Sequence, residues 1–165
     1  MPKIYDTGMA DRLRDELVKL LKGGGAHATF EQAVKDFPPP LRGQKPPGAS
    51  HTPWEVLEHL RIAQGDMLEF SRDAKHESPD WPAGYWPPTP APPTGDAWQA
   101  SIAAFRQDAE AMEKLLADPA SDLTQPLPWG SGQSLLREAL QVADHNAYHI
   151  GELVLLRRLL GAWKT

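Results

Sequence analysis

The run His51-Thr52-Pro53-Trp54-Glu55-Val56-Leu57-Glu58-His59-Leu60 carries the signals of a helix start in successive residues. Thr52 is of the N-cap type, whose hydroxyl takes a free amide of the first turn. Pro53 fits the first helical position, where its missing N–H costs nothing, and Glu55 at the third position completes a capping box. Behind the cap, Val56, Leu60, Ala63, Met67 and Phe70 recur at spacings of three and four. That spacing predicts a helix over 53–73 with one apolar face.

Working outward, the prolines delimit the other helices. There are 17 in 165 residues, roughly twice the usual ~5%. Because proline lacks an amide donor and clashes with the preceding turn, its clusters at 38–40, 46–47, 79–93 and 126–128 mark where helices stop. Between them lie further helical windows. Leu13, Leu17, Leu20 and Leu21 predict a helix over 9–22, stopped by Gly23-Gly24-Gly25. Thr29-Phe30-Glu31-Gln32 caps a short helix that must end by Phe37, ahead of Pro38. Trp98, Ile102, Phe105, Ala109, Met112 and Leu116 mark a helix over 96–117. The last runs from Ser134 to about Leu160, with Leu135, Ala139, Val142, Asn146, His149, Leu153 and Leu156 on its stripe. No run alternates with period two, so no strand is expected. Four long helices with one stripe each predict an all-α four-helix bundle of one domain over 1–165, with a short extra helix between the first two long ones. Residues 74–95 span 22 positions, up to about 70 Å of extended chain, which permits a long crossover between helices of ~30 Å.

Composition narrows the chemistry. Cysteine is absent, which removes disulfides, thiolate metal sites and a cysteine nucleophile together. Lysine and arginine number 17 against 22 acidic residues, a net charge of −5, so no footprint for nucleic acid or an anionic membrane surface is expected. The N-terminal Met1-Pro2-Lys3-Ile4-Tyr5-Asp6-Thr7 lacks a signal-peptide pattern, and no apolar run reaches the ~20 residues of a membrane span. A cytoplasmic protein is expected. No serine-histidine-carboxylate pattern, phosphate-binding glycine loop or nucleotide motif is present.

Polar residues on the apolar stripes hold the remaining information. His145 and His149, four apart, share one face of the last helix, and His149 lies on its stripe. A buried neutral imidazole needs partners for both nitrogens, which a divalent metal or a hydrogen-bonded core both provide. His59 is the third candidate. If its helix runs antiparallel to the last one, His59 lies ~9 Å from its helix start and His149 ~16 Å before its helix end, which are matching heights. Three histidines at one level would bind zinc or nickel and leave coordination positions open, the arrangement of a reactive site.

The stretch 51–60, the later Asp144-His145-Asn146-Ala147-Tyr148-His149-Ile150-Gly151-Glu152-Leu153 and the final Leu156-Arg157-Arg158-Leu159-Leu160-Gly161 together resemble the DinB/YfiT-like superfamily. The resemblance implies an up-down-down-up bundle, frequent homodimers, and a divalent metal held by His59, His145 and His149. It also implies thiol-dependent transferases that use low-molecular-weight thiols, or metal-dependent hydrolases acting on small molecules. With no cysteine in the chain, a thiol would have to come from a cosubstrate. A metal-binding bundle without turnover, acting in stress response or protein interaction, is the alternative.

Around the metal candidates, Glu55, Asp144 and Glu152 are spaced to take the outer ring nitrogens, or are exposed helix charges. His51 faces the site or caps the loop, and Tyr148 lies beside the ligands or packs elsewhere. Trp81, Tyr85, Trp86 and Trp129 are candidates for a pocket mouth. Gly65 and Gly151, costly inside helices, suggest close approach of a backbone or ligand.

Overall fold

The computed structural model describes residues 7–163, so the N-terminal reading of Met1–Asp6 falls outside them. The described chain is all-helical: α1 (Thr7–Lys22), α2 (Phe30–Val34), α3 (Pro53–Arg72), α4 (Ala97–Ala117) and α5 (Leu135–Leu159). Single 3-10 turns lie at Pro39–Leu41 and Ala83–Tyr85. No strand forms among the described residues, only an isolated bridge between Pro126 and Ser134. None of the described helices is long and apolar enough to cross a membrane.

Three of the helix starts, those of α2, α3 and α5, express a local preference. Thr52 and Glu55 form the reciprocal capping box of α3, with the Thr52 amide donating to Glu55 Oε2 at 2.7 Å. Thr29 and Gln32 do the same for α2. The Ser134 hydroxyl accepts from the Arg137 amide to start α5. Gly23 and Gly161, which follow α1 and α5, adopt positive φ of 68° and 71°, a backbone conformation glycine enters without steric cost.

Packing then sets direction. Along α3 and α5 the contacts run in opposite senses: His51 approaches Glu152, whereas Phe70 at the far end of α3 receives the Trp129 indole N–H just before α5 begins. The contacts of α3 with α4 run in the same sense, from Glu58 with Ser101 to Gln64 with Phe105. The long 73–96 connection is what permits this. Arg14 of α1 donates to the Leu116 carbonyl, and Lys22 reaches Glu113, so α1 runs against α4. Two buried apolar clusters result. One, around Phe37, Trp54, Leu57, Leu60, Trp98 and Leu153, lies beside the histidines; the other, around Leu17, Leu68, Met112 and Leu135, fills the opposite end.

Short α2 cannot hold itself in place. A five-residue helix lies far below the length stable alone, and here the buried Arg157 of α5 donates to the Gln32 and Ala33 carbonyls and to Ala162. One guanidinium thus ties α2 and the chain end to the bundle.

Candidate metal centre

Because α3 and α5 are antiparallel, His59 faces the stacked pair His145 and His149. The ring centroids lie 4.8 Å (His59 to His145), 4.5 Å (His59 to His149) and 4.6 Å (His145 to His149) apart. One nitrogen from each ring falls within 4.8 Å of the other two, a group compatible with a metal ion. His59 is 5% exposed, and the other two are half-buried.

Hydrogen bonds on the outer nitrogens decide which nitrogen faces inward. His59 Nδ1 donates to the Tyr85 carbonyl at 2.9 Å, and a carbonyl only accepts. His149 Nδ1 donates to Glu152 Oε2 at 2.9 Å. In the neutral rings the proton therefore sits on Nδ1 and the Nε2 lone pair turns inward. His59 Nε2 and His145 Nε2 are only 3.0 Å apart. Two lone pairs do not face each other at that distance without a proton or a cation between them, so the donor set fits a divalent ion that takes nitrogen ligands.

Electrostatics agree with neutral ligands. Burial pushes the His145 pKa down to about 4, with His149 and His59 adding to the shift. Burial also lowers that of His59. The hydrogen bond from His149 holds the Glu152 carboxyl below its ordinary range, so this carboxylate is charged beside the rings. Metal binding requires the imidazoles deprotonated, which this environment favours before any ion arrives.

The DinB superfamily model matches residues 25–153, most of the chain, including all three histidines. The chain belongs to the DinB superfamily. Searches of curated proteins and of solved structures gave no match.

In this DinB-superfamily protein, the long 73–96 connection builds one wall of the site. Trp86 lies flat between two imidazoles, 4.1 Å from His59 with 4° between planes and 3.9 Å from His51 with 19° between planes. Tyr85 contributes its carbonyl, while its hydroxyl donates to Asp66 at 2.6 Å; burial and that carboxylate push the phenol to about 12. Asp66 also bonds His76 at 2.7 Å, so a carboxylate on α3 holds the connection at two points. The sequence shows aromatic residues in this segment but not that one ring stacks between His51 and His59, since that depends on how the whole connection folds back.

The structure sorts the other expected site residues. Glu152 bridges His149 and, at 3.5 Å, His51. Tyr148 is 73% exposed yet sets its ring edge-on to His149, with centroids 4.9 Å apart. The Glu55 carboxylate accepts from the Thr52 amide in the helix cap. Asp144 is exposed and belongs to the solvent side of α5, one residue off the inward face. Trp81 is exposed and packs on Tyr85, and Trp129 is at the far end of α3. A side chain at Gly65 would meet the Asp108 carboxylate at 3.2 Å, a side-chain neighbour and not the backbone or ligand expected. Gly151 faces open space, and a Cβ there would meet nothing within 4 Å.

A pH dependence follows. The His145 pKa is about 4 in the folded chain against 6.5 ordinarily. Between these values the unfolded chain binds a proton that the folded chain does not, so stability is full above about pH 6.5 and falls as pH drops toward 4. In urea denaturation of chelator-treated protein, the midpoint is expected to fall across this window, and His145→Gln to flatten the slope. Identical slopes for parent and variant would contradict it.

Proposed function

We propose that the protein is a metal-dependent enzyme in which His59, His145 and His149 hold a divalent ion, zinc or nickel, and a small thiol is activated there for transfer to an electrophile. The observation that carries this reading is the convergence of three imidazole nitrogens within 4.8 Å, two of the rings with their outer nitrogens anchored. A divalent ion so held supplies Lewis acidity that lowers the pKa of a bound thiol or water toward neutrality. The residues of the chain do the rest. The Tyr85 carbonyl and Glu152 orient two rings, and Trp86 covers His59 on one side. In this reading His51, 3.5 Å from Glu152 and partly exposed, would receive the proton from the thiol. Since the chain has no cysteine, the thiol is a cosubstrate of low molecular weight.

Space for the substrate lies alongside. A cavity of about 470 Å³ is lined by Glu152, Tyr148 and Leu156 of α5 and by Pro47, Ala49 and Ser50 of the loop before α3, within the range of ~300–1,000 Å³ typical of small-molecule sites. Leu155 and Leu159, both more than half exposed on the same helix, are where the expected homodimer would find apolar surface.

The test is turnover by the metal-loaded protein with small thiols and generic electrophiles, compared with ester and amide hydrolysis. Thiol-dependent consumption of the electrophile is expected, with His51→Ala lowering kcat. Thiol-independent ester or amide cleavage would replace transfer by hydrolysis. No turnover by a fully loaded protein in either assay would favour a binding bundle.

A further inference from the structure

Three imidazoles present Nε2 to one point only if each keeps its proton on Nδ1, and a buried Nδ1–H needs an acceptor. His59 has the Tyr85 carbonyl and His149 has Glu152. His145 Nδ1 is buried without a hydrogen bond, and so is Asn146 Oδ1 on the next residue of α5. The two are complementary, because a protonated Nδ1 donates and an amide oxygen only accepts.

The Asn146 amide is not free to turn. Gln64 Nε2 donates to the Phe105 carbonyl at 2.8 Å, which forces Gln64 Oε1 to the other side. There it accepts from Asn146 Nδ2, also at 2.8 Å. Asn146 Oδ1 is therefore left as the accepting end of a directed chain, at residues only 1% (Gln64) and 8% (Asn146) exposed. A buried amide pair this well oriented, ending in an unused acceptor beside an unused ring nitrogen, calls for a partner.

We propose that Asn146 is a positioning residue of the metal centre, its Oδ1 taking the Nδ1–H of His145 when His145 Nε2 faces the ion. Phe105, Gln64 and Asn146 then anchor the third ring as Tyr85 and Glu152 anchor the other two. This role rests on the metal reading above. Without an ion, His145 keeps its proton on Nε2 and shares it with His59 Nε2 across 3.0 Å. With one, that proton leaves Nε2 to solvent and another is taken from solvent at Nδ1, so the ring stays neutral.

The experiment combines nitrogen-15 NMR of the imidazoles with zinc affinity, measured by competition against a chelating dye. In the parent, zinc is expected to move His145 from the Nε2–H to the Nδ1–H tautomer, with an Nδ1 proton slow to exchange. Asn146→Leu, which keeps the size and removes the acceptor, is expected to weaken zinc about 10- to 100-fold and to abolish the slow proton. Parental affinity and an unchanged His145 proton in Asn146→Leu would overturn the proposal. Should Asn146→Leu fail to fold by circular dichroism, the parent decides: a fast-exchanging Nδ1 proton in its zinc-loaded form overturns the role. A parent that takes up no zinc overturns the metal reading itself, and this role with it.

Discussion

The parent purified without a histidine tag is expected to carry near-stoichiometric zinc or nickel, and His59→Ala and His149→Ala are each expected to abolish it. Each substitution removes one of three converging nitrogens and leaves two, from α3 and α5 or from α5 alone. The loss should exceed the ~10- to 100-fold that removal of a ligand's hydrogen-bond partner costs, because here the ligand itself is gone. Elemental analysis of the purified proteins measures it directly, with circular dichroism to show that the helices persist. The fold is expected to survive, since both side chains line one edge of the core and neither caps a helix. Metal retained at the parental ratio in both variants would refute the three-histidine site.

Trp98→Ala is expected to cause the largest loss of stability. The ring is fully buried at the start of α4, 5.1 Å from Phe37 and 5.0 Å beneath the Arg42 guanidinium. Truncating it removes the transfer free energy of an indole and leaves a cavity, about 3–5 kcal/mol together, against a total of about 5–15 kcal/mol for a domain. For a chain of this length that corresponds to a fall in Tm of roughly 10 °C or more. Arg42 also donates to the Phe37 carbonyl and its own carbonyl accepts from the Trp54 amide, so the segment leading into α3 loosens with the ring. Metal affinity should fall less than in the histidine variants, because Trp98 touches none of the three rings. A thermal melt within about 2 °C of the parent would show that the pocket collapses around the missing ring, contrary to the packing argument.

Much of the architecture is legible in the chain. The α3 start is written in Thr52, Pro53 and Glu55, and the structure forms that capping box. The prolines do fall in connections and at one helix start, so the helices occupy the windows between them. His145 and His149 share a face by the arithmetic of helical periodicity. Glu55 shows the limit of such reading. Its spacing from His59 suits a ligand's partner and its spacing from Thr52 suits a cap, and only the folded chain tells which neighbour its carboxylate meets. Asn146 lies on the apolar stripe of α5 as a visible polar intrusion, but Gln64 falls outside the stripe read for α3, and their pairing spans 82 residues and needs the register of α3 on α5.

Where the helices begin and end, and which three imidazoles are candidates, follow from the amino-acid order alone, because caps, proline blocks and helical periodicity act within a few residues. That those imidazoles converge, that Tyr85 and Glu152 turn two of them inward, and that Trp86 stacks between His51 and His59 emerge only in the folded chain. These outcomes depend on interhelical register and on the course of the long connection between α3 and α4, which are set by packing summed over the whole core and are encoded at no single position.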